Sequence, residues 1–164
     1  MKKVLNIVLL LTLFSQCREK AKPQTATDED TSKPILNNPK SAQDTALRSK
    51  KTFPFELSAS DGRFAIQAFV DGKPLYPKYY QFFKKYGYEG NGPCWEGHIR
   101  QILDKIDPTL LSHLEFDVEA GTFLAYADSR QTQQRFVDIL SPIFSNPDSL
   151  SVWVKQADRS KIDD

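Results

Sequence analysis

Leu114-Glu115-Phe116-Asp117-Val118-Glu119-Ala120-Gly121-Thr122-Phe123-Leu124-Ala125-Tyr126-Ala127 is the stretch that decides the fold. Leu114, Phe116 and Val118 alternate with Glu115, Asp117 and Glu119, which is the two-residue period of a strand with one apolar and one acidic face. Ala120-Gly121 supplies a turn, and Thr122 to Ala127 returns as the partner strand. An antiparallel sheet with one face turned inward is therefore expected, and the segments on either side of this hairpin must cover that face.

The flanking segments fit such a sheet. Upstream, Phe55 to Ser60 alternates, Asp61-Gly62 is a strong hairpin turn, Arg63 to Val70 reads as the second strand, and Asp71-Gly72 closes it. Tyr76, Tyr79, Tyr80, Phe82, Phe83 and Tyr86, with Leu75, fall within about 160° of arc on a helical wheel, so they form a wide core face, with Tyr76 and Tyr80 at its edge. After the loop Gly87 to Gly92, Pro93 suits the first turn of a second helix, with Asn91 or Gly92 as its cap. Trp95, Ile99, Ile102, Leu103 and Ile106 repeat at helical spacing until Asp107-Pro108. Downstream of the hairpin, Asp128 and Gln131 resemble a capping box for a helix lined by Phe136, Val137 and Leu140. Leu150, Val152 and Val154 alternate with Ser151, Trp153 and Lys155, which predicts a final strand over Ser149 to Gln156. The expected architecture is α+β, an antiparallel sheet with helices packed on one face, in the order ββααββαβ.

The first residues have a different character. Lys2 and Lys3 precede an apolar run from Val4 to Leu13, which is too short to span a bilayer and has the size of a signal-peptide core. It ends in Phe14-Ser15-Gln16-Cys17, which resembles a lipobox. The resemblance implies a signal peptide over residues 1–16 and a lipid-bearing Cys17 at the mature N-terminus. Two or three acyl chains there anchor a protein stably where one does not. Arg18 follows, not the acidic residue associated with inner-membrane retention, so the expectation is a cell-envelope protein, lipid-anchored in the outer membrane. Residues 17–52 read as the lipidated Cys and a disordered tether: they are rich in Lys, Thr, Asp, Ser, Asn, Gln and Pro and hold no aromatic residue. As a coil this tether spans on the order of 30 Å. Residues 53–164 form the globular α+β domain.

Charge divides along the same boundaries. The net charge is +1 over 164 residues, but the tether from Cys17 to Thr52 carries eight Lys or Arg against five Asp or Glu. From Phe53 onward twelve Lys or Arg face sixteen acids, a net of −4, which argues against nucleic acid as the partner.

Chemistry is sparse. The histidines, His98 and His113, have no Cys, Asp or Glu at metal-ligand spacing, so no metal and no cofactor is expected. With Cys17 lipidated, Cys94 has no disulfide partner. Cys94 and His98 lie at i and i+4 near a helix start, the one arrangement suggestive of a nucleophile and its base, but no orienting group or oxyanion pocket accompanies them. Gly90-Asn91-Gly92 follows a helix and lacks the lysine of a phosphate loop. Glu115, Asp117 and Glu119 would point the same way on a strand, about 7 Å apart, as a solvated face or as an acidic surface for a basic partner.

Two of these segments together carry a resemblance. Gly90-Asn91-Gly92-Pro93-Cys94-Trp95, then an amphipathic helix, then Phe116-Asp117-Val118-Glu119-Ala120-Gly121-Thr122-Phe123, resembles the immunity protein 51 family of bacterial toxin–immunity systems over roughly Phe64 to Val154. Such proteins have a Gly-Asn-Gly loop with a Trp three residues after it, a Phe-Asp-x-Glu-Ala-x-x-Phe hairpin and a helix near the C-terminus. The chain departs from the pattern at Pro93-Cys94, where an aromatic and an acidic residue would stand. The resemblance implies a non-enzymatic function, binding and neutralising a cognate toxin protein, with Glu89, Asn91, Trp95, Glu115, Asp117 and Glu119 as contact candidates. The residues themselves leave open an envelope lipoprotein that binds another protein, a peptide or a small ligand, and a thiol enzyme built on Cys94.

Overall fold

The computed structural model describes residues 50–163. The signal segment 1–16, the Cys17 acceptor and the tether up to residue 49 lie outside the described residues. The sheet comprises β1 (Glu56–Ser60), β2 (Arg63–Phe69), β3 (Leu114–Phe116) and β4 (Thr122–Ala127), antiparallel throughout, in the order β1-β2-β4-β3. The helices are α1 (Lys78–Lys84), α2 (Gly92–Ile106), α3 (Arg130–Ser145) and α4 (Pro147–Gln156). The class is α+β, as the periodicities require.

Local chemistry accounts for the joints. The β1–β2 hairpin pairs Ser60 with Arg63 across Asp61 (φ 51°) and Gly62 (φ 78°), both left-handed, which matches the twist of the strands. β3 is short, yet its register runs on: Asp117 N–H donates to Leu124 O at 3.0 Å, and Glu119 bridges Thr122 across the Ala120-Gly121 turn. The cap of α3 is Ser129, one residue later than expected. Its Oγ accepts from Thr132 N–H at 3.1 Å, while Thr132 Oγ1 donates to Asp128 Oδ1 at 2.6 Å.

One predicted element is corrected. Residues 149–156 belong to helix α4, not to a strand. Asn146 caps it by accepting from Asp148 N–H at 2.9 Å, and Pro147 takes the first position, where its missing N–H costs nothing. Leu150 and Val154, four residues apart, are buried on one helical face, while Val152 is 52% exposed. A spacing of four satisfies a helix as well as a strand, and the exposure of Val152 distinguishes the two.

In β4, and in β2 from Ala65 to Phe69, burial alternates. Ile66, Ala68, Phe123, Ala125 and Ala127 are buried beneath the helices, and their neighbours on the other side are not. The core between sheet and helices is aromatic, with Phe55, Tyr79, Phe83, Trp95, Phe123, Phe136 and Phe144 all buried. Each such side chain contributes roughly 1.5–3 kcal/mol by leaving water. Tyr79 remains satisfied there, its hydroxyl donating to Phe144 O at 2.7 Å. Tyr80 on α1 and Tyr76 just before it stay exposed, their ring centroids 5.2 Å apart.

Candidate functional site

The loop before α2 and the β3–β4 turn meet. Asn91 accepts the Cys94 N–H on its Oδ1 at 2.8 Å, capping α2, and Pro93 sits in the first turn of the helix. Gly90 (φ 75°) folds the loop back on Phe83. Gly92 donates its N–H to Ala120 O at 3.1 Å, and a Cβ at this glycine would collide with the carbonyl oxygens of Glu119 and Thr122. Glu89 sits at the exposed outer end of the loop with Lys84 Nζ 3.1 Å from its carboxylate.

The candidates from the sequence therefore take different positions. Asn91 spends its side-chain oxygen on the helix cap. Trp95, a contact candidate on the sequence, is corrected to a core residue. It is fully buried, with ring centroids of Tyr79 and Phe144 each 4.9 Å away and that of Phe55 at 6.2 Å. A large ring at this position of α2 points into the sheet–helix interior, where no partner reaches it. Glu115, Asp117 and Glu119 are exposed, one after another along one side of β3 and its extension. The fold brings Glu119 beside the Asn91-Gly92 loop and places Glu115 at the far end, opposite Tyr126.

The sequence had not singled out the companions of those carboxylates. Leu124 lies across from Asp117 and Tyr126 across from Glu115, both half-buried on the side of the sheet that no helix among the described residues covers. Their signal was present as the alternate positions of β4. Which side the helices would cover was not written in the strand itself.

Cys94 and His98 are both buried. His98 stacks on Phe83 at 5.2 Å and meets Tyr88 edge-on at 4.7 Å. Burial, with Arg159 adding positive potential, lowers its pKa to about 4, so it is neutral at physiological pH. Its Nε2 has no hydrogen-bond partner. With the thiol and the imidazole both enclosed, no substrate reaches the pair in this structure. Among the described residues no group of three His, Cys, Asp or Glu side chains is placed to hold a metal ion.

The sheet thus has one face under the helices and one, edged by Glu115, Asp117 and Glu119, that no helix among the described residues covers. Residues 76–159, just over half of the 164-residue chain, match the family model described as immunity protein 51. The chain belongs to this family, which supports an immunity function and implies a toxin as the general kind of partner. The match begins after β2 and takes in the loop, the β3–β4 hairpin and helices α1 to α4. No curated protein and no solved structure matches the chain.

Proposed function

We propose that this protein is a membrane-tethered immunity protein that binds and neutralises a cognate bacterial toxin. The observation that carries the reading is the family match across loop, hairpin and helices as one block, in which Gly92 locks the loop to the hairpin. Neutralisation needs only a rigid surface complementary to one partner, and the exposed carboxylates Glu115, Asp117, Glu119 and Glu89 supply charge that speeds association and selects that partner. Asn91 and Trp95 act from behind, one fixing the loop and the other the helix beneath it.

Lipid on Cys17 would hold the domain at the outer membrane, on the path of an incoming toxin, with the tether as slack. Radiolabelled palmitate should enter the wild-type chain and not Cys17→Ala.

The function is tested by growth. The adjacent open reading frame is expressed with its product directed to the envelope, with and without this chain. Killing by the neighbour and rescue by this chain support immunity. A harmless neighbour, or killing without rescue, would leave an envelope lipoprotein that binds another protein, a peptide or a small ligand.

A further inference from the structure

We infer that the face of the sheet left bare by the helices is the docking platform for the toxin, and that the toxin surface it takes is basic, carrying Lys and Arg side chains. The inference rests on the immunity reading above and specifies where and with what chemistry the toxin is held.

The bare face has the anatomy of an interface. Opposite the buried row of Ile66, Ala68, Phe123 and Ala125, its centre is formed by half-buried Leu124 and Tyr126, and Phe69 at its end is 45% exposed. The register places Phe69 across from Thr122, and Thr122 across from Glu119, so the exposed ring lies in line with the acidic strand. An apolar and aromatic centre with a charged rim is the pattern that concentrates binding energy in protein–protein contacts.

The strand residues of the rim are acidic. On β3 and its extension stand Glu115, Asp117 and Glu119, and on the opposite edge stands Glu56, paired with Gln67 on the same face. Among the strand residues of this face the cation is Arg63, which lies over the Tyr126 ring with its guanidinium carbon 3.7 Å from the centroid, and Lys73 lines the cleft beside Glu56 and Phe69. On these strands four carboxylates stand against one guanidinium, whereas the domain from Phe53 onward carries twelve Lys or Arg against sixteen Asp or Glu. The imbalance is steeper on these strands than over the domain, which is itself mildly acidic. A second copy of this chain would bring the same sign to the contact and be repelled, while a basic protein surface gains both steering and register from carboxylates about 7 Å apart along a strand.

The test uses the full chain and the product of the adjacent open reading frame as probe. Glu115→Lys with Asp117→Lys, and separately Phe69→Ser, alter exposed side chains and should leave the melting temperature close to that of the wild type. Both should abolish growth rescue, and titration calorimetry should show the charge-reversed protein binding at least about a hundredfold more weakly. Tyr76→Ser with Tyr80→Ser alters a different exposed aromatic surface and should leave rescue intact. Hydrogen exchange on the complex should slow across residues 114–127. The inference is overturned if the folded sheet-face variants still rescue, or if the Tyr76 and Tyr80 variant does not. If the wild type itself gives no rescue, the immunity reading fails and this inference fails with it, so the wild-type arm separates the two failures.

Discussion

The backbone N–H of Gly92 donates to the carbonyl of Ala120 at 3.1 Å, and this bond joins the start of α2 to the tip of the β3–β4 hairpin. The approach is possible because Gly92 has no Cβ: one placed there would lie inside van der Waals distance of the Glu119 and Thr122 carbonyl oxygens, which are backbone and cannot swing aside. Gly92→Ala must therefore push the loop and the hairpin apart. Urea unfolding should show a loss of about 2–3 kcal/mol, and an unchanged midpoint would show that the joint is not under this constraint.

Asn91, one residue earlier, works through its side chain. Its Oδ1 takes the Cys94 N–H, one of the donors that a helix N-terminus leaves without an intrahelical partner. Asn91→Ala should cost about 1 kcal/mol of stability, and Asn91→Asp or Asn91→Ser should keep most of it. A direct contact with the toxin would behave differently: Asn91→Ser would then weaken binding in calorimetry with the melting temperature unmoved.

The parts of the fold legible in the sequence are those with a local physical cause. Asp61-Gly62 announces its hairpin because both residues tolerate positive φ, and Pro93 after Asn91-Gly92 announces α2 because it needs no N–H in the first helical turn. The acidic strand was legible for the same reason, its charges falling on every second residue. The position of Trp95 was ambiguous, because the residue type suits both a core and a binding surface and only packing against Tyr79 and Phe144 decides. The bare face with Leu124 and Tyr126 was hidden, since the side on which helices lie is a property of the assembled domain.

The helix at the end of the chain provides its own test. Leu150, Val152 and Val154 are indistinguishable by alternation, yet on α4 Leu150 is 1% exposed, Val154 is 3% and Val152 is 52%. Leu150→Ala should destabilise by about 2–4 kcal/mol because it leaves a cavity in the packed interior. Val152→Glu should change stability by less than about 0.5 kcal/mol. Chemical unfolding of the two variants reads the difference, and comparable losses at both positions would restore the strand assignment.

His98 sets the behaviour of the domain in mild acid. In the fold its pKa is lowered from 6.5 to about 4, because Phe83 and Tyr88 enclose the ring and Arg159 disfavours a second positive charge nearby. Above pH 6.5 the imidazole is neutral in both folded and unfolded chains, and its contribution does not vary. Between pH 6.5 and about 4 the unfolded chain takes up a proton that the folded one refuses, so stability falls as pH falls. Below about 4 both states are protonated and the loss levels off, at a total on the order of 3 kcal/mol. Asp128 and Asp158, whose carboxyls are held below their ordinary value by neighbouring Thr132 and Ser160, lose their contributions only in stronger acid. The window between about 4 and 6.5 is where His98 acts. His98→Phe, which keeps an aromatic ring between Phe83 and Tyr88, should flatten the profile of unfolding free energy across that window relative to the wild type. Parallel profiles for the two proteins would mean that His98 takes its proton in the folded state as readily as in the unfolded one.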